Sequence, residues 1–125
     1  MNYRAKFETE SSSVDNLIAG NAHLLVGRVI TIKSGRVLRR GAVLGKIAAE
    51  NKYVLSLAAG DDGSEDVDLI LAEDVDSTAA DRQALAYARG DFASLALTLG
   101  AGHSVSSITE PLRAKGITLL PAVPA

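Results

Sequence analysis

The chain has 125 residues, enough for one domain with its own core and too few for two ordinary ones. Apolar residues make up 47% of it but aromatics only 4%, so its core is aliphatic, and the lack of cysteine removes disulfide frameworks, zinc ribbons, thiol redox and cysteine hydrolysis. The net charge of −2 hides an asymmetry: residues 1–60 carry nine Lys/Arg against four Asp/Glu, net +5, and residues 61–125 carry four against eleven, net −7. Such halves are either two differently solvated faces or the makings of a self-complementary oligomer, in which the basic half of one subunit meets the acidic half of the next.

Residues 1–15 are polar, charged and without periodicity, ending in Ser11-Ser12-Ser13. Two aromatics, Tyr3 and Phe7, cannot offset the entropy of ordering a dozen residues at roughly 1 to 2 kcal/mol each, so the segment reads as an arm that orders only against a partner. It has no apolar region of signal-peptide type, and no run in the chain approaches the roughly 20 apolar residues a spanning helix needs. We therefore expect a soluble chain without a membrane partner, with the body in residues 16–125.

Asn16 to Gly20, NLIAG, is a short apolar step closed by glycine. Leu24 to Ile47 is the best-defined stretch, three short strands with glycine-marked bends. Leu24, Val26, Ile30 and Ile32 share one parity and Gly27, Thr31 and Lys33 the other, with Arg28 and Val29 spoiling the alternation. Ser34-Gly35 is a turn signal, and Arg39-Arg40-Gly41 breaks the run again before AVLGKI. After a turn at Ala48 to Asn51, KYVLSL reads as a strand, AAGDDGSED as a loop, and the LILA run after Val67 as a buried strand.

Ser77 to Phe92 is a helix by propensity, with Ser77 or Asp81 available as N-cap, although Leu85 and Tyr87 alternate with alanines and Arg89-Gly90-Asp91 ends the run as a turn would. A helix is expected within Ser104 to Lys115, with Ser107 to Glu110 as a capping box, Pro111 in the first turn, and Gly116 as the stop. Ile117 to Leu120 makes a last strand.

Candidate chemistry is thin. His23 and His103 lie outside any ligand spacing, and Asp61 to Asp66 fails the calcium-loop spacing. No glycine-rich phosphate cradle opens a helix, and the Arg36, Arg39 and Arg40 cluster lacks interleaved aromatics, so neither nucleic acid nor a small-molecule substrate is an expected partner. No cofactor is expected. Val37 to Ile47 resembles the turn-and-glycine half-motif of biotinyl and lipoyl carrier domains, which would make Lys52 the modified lysine. Yet Glu50-Asn51-Lys52-Tyr53 departs from the carrier hairpin sequence. A sugar- or nucleotide-binding domain with acids converging near Asp74 and Asp76 is a third possibility.

A second resemblance covers nearly the whole chain from Asn16. NLIAG, Arg40-Gly41 with Val43-Leu44-Gly45-Lys46, Gly63-Ser64 followed by Ile70 to Asp76, Gly90-x-Phe92 with Ala96-Leu97, and Leu112-Arg113-x-x-Gly116-Ile117 are, in that order, similar to the head decoration proteins of lambda-type tailed phages. The resemblance implies a mainly β, β-clip-like bent ribbon with one C-terminal helix, and no enzymatic activity. It implies a homotrimer at three-fold positions of the expanded capsid, with an N-terminal arm ordering against the major capsid protein. Carried onto this chain, arm contacts fall at Tyr3, Lys6, Phe7, Asn16, Leu17 and Ile18, and the subunit interface is expected near Arg39, Arg40, Asp74 and Asp76. It also implies an extended segment at Arg82 to Arg89, against propensity. Trimerisation is expected to bury the alanine-rich and leucine-rich surfaces.

Overall fold

The computed structural model describes residues 17–121. The chain is mainly β with one C-terminal α-helix, as expected. Its strands are β1 (Ile18–Gly20), β2 (Val26–Ile32), β3 (Val37–Leu38), β4 (Val43–Ile47), β5 (Lys52–Leu55), β6 (Val67–Leu71), β7 (Val75–Asp76), β8 (Arg82–Ala93) and β9 (Ile117–Leu120). The helix, α1, spans Val105–Arg113.

Five of the strands close on themselves. β8 pairs β2 along one side and β6 along the other, while β2, β5, β4 and β6 follow one another by hydrogen bonding, so the sheet returns to β8 as a small barrel. Its seam between β2 and β5 is short, with Ile32 opposite Tyr53 and the Lys33 N–H donating to the Tyr53 carbonyl. Ile30, Ile32, Leu44, Leu69 and Leu71 fill the interior. A five-stranded barrel is narrow, and large side chains on four strands leave room only for small ones on the fifth. That is why β8 places Ala84 and Ala86 inside, where the two alanines are buried. Packing overrides the helical preference of this segment. Those alanines are therefore covered within one subunit, not by trimerisation.

A second core lies outside the barrel wall. Val43, Val67 and Ile70 face outward from β4 and β6 and meet Ile108 and Leu112 of α1, Ile117 of β9, Phe92 and Leu17. Val67 joins this cluster although it shares the parity of Leu69, because the ladder to β4 skips Asp68 and the bulge reverses the faces. The bulged Asp68 accepts a hydrogen bond from the Tyr53 hydroxyl at 3.0 Å and an ion pair from Lys115 at 3.0 Å, which fastens the end of α1 to the barrel.

Two local expectations are corrected. α1 begins earlier than Ser107: Ser104 is the N-cap, its hydroxyl accepting from the Ser107 N–H at 3.2 Å while the Ser107 hydroxyl accepts from the Ser104 N–H at 2.9 Å. Pro111 consequently lies inside the helix, in its second turn. The carbonyl that loses its partner belongs to Ser107, which is exposed and can bond water instead. Glu110 pairs with Arg113 at 3.4 Å and does no capping. Arg89-Gly90-Asp91 is not a turn either; β8 runs straight through it. Gly90, at φ 147°, is where β8 leaves the barrel, and a Cβ there would strike Leu25 and the Phe92 ring.

Ser77 and Asp81 cap no helix. The buried Ser77 hydroxyl donates to the Lys33 carbonyl at 2.8 Å, and Asp81 accepts from the Ser34 N–H at 2.8 Å. Both tie the end of β2 to the approach of β8.

Candidate functional site

Beyond Gly90, β8 becomes the middle of a three-stranded end sheet. β1 runs antiparallel on one side, Ile18 opposite Phe92, and β9 runs parallel on the other, Leu120 opposite Ala93. The Leu17 carbonyl accepts from the Ala93 N–H at 2.7 Å. The N-terminal segment therefore enters the fold, and the C-terminal segment leaves it, on the two sides of a single residue. At the usual strand spacing, these two roots are about 10 Å apart. Among the described residues β8 is the only strand partner of both β1 and β9, so each presents an open edge of backbone donors and acceptors. Leu95, on the 3₁₀ turn Ser94–Ala96 just past Ala93, is 77% exposed, the most exposed large apolar side chain among the described residues.

Phe92 holds this end together. It is fully buried, packs against Tyr87 with ring centroids 5.4 Å apart, and joins Leu17 to Ile117 in the outer core.

Of the residues read as arm contacts, Tyr3, Lys6, Phe7 and Asn16 lie outside the described residues. Leu17 is buried in the outer core and Ile18 is part of β1, so these two root the N-terminal segment in the body. Arg40 and Asp74 are brought together within one chain: the Arg40 N–H donates to Asp74 at 2.8 Å. The Arg40 guanidinium donates to the Ala72 carbonyl at 2.7 Å and lies 5.7 Å from the centre of the Tyr87 ring. Asp76 accepts from the N–H and hydroxyl of Thr78, which holds its carboxyl below the usual range, and Arg39 is exposed.

Sequence reasoning missed the exposed apolar pair of Val29 and Leu85. They lie opposite each other on β2 and β8, 68% and 41% exposed, on the outer face of the barrel. The signal was present in Val29, which broke the alternation of β2. Val37 and Leu95 were also passed over, each lying in a segment too short to show a period, while Leu57, read on one strand face with Tyr53 and Leu55, lies past the end of β5 and is exposed.

Reactive arrangements are sparse and better explained by support than by catalysis. The Ser56 hydroxyl lies 2.9 Å from His103 Nε2, the spacing of a nucleophile and its base, but Ser56 is wholly buried. The pair clamps the end of β5 to the loop before α1, where Ala58 N–H also bonds the Ala101 carbonyl. Lys52 opens β5, past the hairpin turn at residues 48–51, and its ammonium meets Asp81 at 2.6 Å. The hydrogen bond and charge of Asp81 raise the Lys52 pKa, and Lys52 with the Ser34 N–H lowers that of Asp81. In the acidic loop, Asp62 caps Ser64, whose hydroxyl and N–H hold the Asp62 carboxyl below its usual range. No group of three or more His, Cys, Asp or Glu that could hold a metal ion occurs among the described residues. No helix among them is long and apolar enough to cross a membrane.

Residues 7–120 match the family model described as bacteriophage lambda head decoration protein D. The chain belongs to that family. No individual curated protein matches it. Lambda-type head decoration proteins are structural components of phage heads. The match starts at residue 7, inside the segment read as the arm.

Proposed function

We propose that this protein binds the outer surface of a phage capsid as a trimer at three-fold positions and stabilises the expanded, DNA-filled head, with the major capsid protein as its partner. The observation that carries this reading is the end sheet: Leu17 and Leu120 both lie beside Ala93, next to strand edges with no partner among the described residues and to the exposed Leu95. A capsid under outward load opens by separating neighbouring shell subunits. A trimer gripping several of them adds contacts that must break first.

The arm, residues 1–15, gives each subunit a line to the shell. If it adds a strand to an exposed sheet edge of the capsid, main-chain hydrogen bonds supply affinity with little demand on side-chain identity, and Tyr3, Lys6 and Phe7 serve as anchors. Three arms on one body raise avidity by roughly 10² to 10⁴ over one arm. Leu17 and Ile18 transmit the pull into the body. Arg39 and Asp76, with the preformed Arg40–Asp74 unit, sit toward the neighbouring subunit.

Deleting residues 1–15 should leave a folded trimer that no longer sediments with purified expanded heads. A truncated protein that still decorated heads would remove the arm from the mechanism.

A further inference from the structure

We infer that, before the protein meets a shell, residues 5–9 of its own N-terminal segment lie antiparallel along the free edge of β2, and that attachment displaces them.

The edge is a stretch of unused backbone. The Lys33 N–H points away from β8 to the Tyr53 carbonyl, and directions alternate along a strand. The N–H groups of Gly27, Val29 and Thr31 therefore point the same way, with the Gly27 and Val29 carbonyls. β5 begins at Lys52 and meets β2 only at Ile32, so among the described residues no strand faces Gly27 to Val29 on that side. Val26 to Val29 are all exposed, and Val29 with Leu85 adds an apolar row beside the edge. Such an edge takes an extended segment through main-chain hydrogen bonds.

The place where the chain enters selects the occupant. β1 and then β2 run down one side of β8, separated only by residues 21–25, while β6 and β9 take the other side. The segment before Leu17 therefore starts at one end of the rim that β2 continues. From Ala93, bonded to Leu17, to Tyr87, opposite Gly27, is six residues along β8, roughly 20 Å. The eight residues from Leu17 back to Thr9 reach at most roughly 29 Å, which brings Thr9 beside Gly27 with length left for the turn back. Tethered in this way, the segment is at a far higher effective concentration than a free partner.

Side chains fit this register. With Thr9 beside Gly27, Phe7 falls opposite Val29 and extends the Val29–Leu85 row across a third strand. Glu8 falls opposite the exposed Arg28 on the other face of β2. Only five residues are ordered, so a shell edge that offers more contacts wins the same segment; that step rests on the role proposed for the arm above.

Amide hydrogen exchange tests the pairing in the full chain. The Gly27 and Val29 amides should exchange roughly tenfold or more slowly in the wild type than in Phe7→Pro, while Arg28 and Ile30, which face β8, stay unchanged. Glu8→Lys should quicken exchange at Gly27 and Val29, and Glu8→Lys/Arg28→Glu should slow it again. Equal exchange in the wild type and Phe7→Pro would overturn the inference, as would protection that rises with protein concentration, which gives the edge to another copy.

In this cysteine-free chain, the Ala5→Cys/Thr31→Cys variant separates docking from the functional reading. Its disulfide should form within one chain and keep the arm off purified expanded heads until it is reduced. Linked protein that still decorates heads sinks the arm's role in attachment. A disulfide between chains, or none, sinks the docking alone.

Discussion

The barrel and the end sheet share β8 and treat their edges in opposite ways. In the barrel every strand has two neighbours, although β2 meets β5 only at Ile32, and the interior is filled mainly by aliphatic side chains. In the end sheet β1 and β9 have β8 as their one strand partner among the described residues, and Leu17 and Leu120 both lie there. One region closes its strands into a body around a packed interior, and the other concentrates backbone hydrogen-bonding capacity at a single end.

Substitutions can break that comparison or sharpen it. Phe92→Ala empties the centre of the outer core and should cost about 3 to 5 kcal/mol, read from urea unfolding by circular dichroism. Because β8 belongs to both regions, we expect one transition at lower denaturant; two separate transitions would show that the barrel and end sheet are independent units.

Ala86→Leu presses on the barrel alone. Overpacking the narrow interior should cost about 1 to 3 kcal/mol while the folded fraction still binds heads. Unchanged stability would mean the interior has room that its side chains do not fill. Ser104→Ala removes the helix cap and should lower stability by about 1 kcal/mol, with hydrogen exchange quickening first in α1 and β9 rather than in β2. Uniform quickening would count against a weaker outer layer.

The smallest effect is electrostatic. Asp81 is held below its ordinary 3.8 by Lys52 and the Ser34 N–H, so its contribution to stability is present above that value and lost as pH falls through the lower folded pKa. Melting temperatures of the wild type should therefore drop below about pH 4, and Asp81→Asn should flatten that part of the curve. An unchanged acid limb would show that the pair adds nothing to the seam between β2 and β8.

Much of the barrel was legible because its bends require particular residues. Gly35 and Gly41 have positive φ where turns were expected, and the strands between them follow. β8 was not legible from composition: alanine there answers to the volume of a narrow barrel, a constraint imposed by Ile30, Leu44 and Leu69 from other parts of the chain. The helix start was obscured by Pro111, which local rules confine to a first turn but an exposed Ser107 carbonyl allows deeper. At the candidate site, the resemblance made Leu17 and Ile18 arm contacts although they fall within the expected body, and the pairing with Phe92 and Ala93 places them in the fold.

The direction of β1 and β9 also has a mechanical meaning. Leu17 and Leu120 both lie at the Ala93 end of β8, so outward tension on either terminus, directed along that strand, slides its neighbour lengthwise and loads the cross-strand bonds together. Tension across the strands would instead unzip them one at a time. The orientation of attachment thus decides whether the anchorage behaves as a shear lap or as a peeling seam.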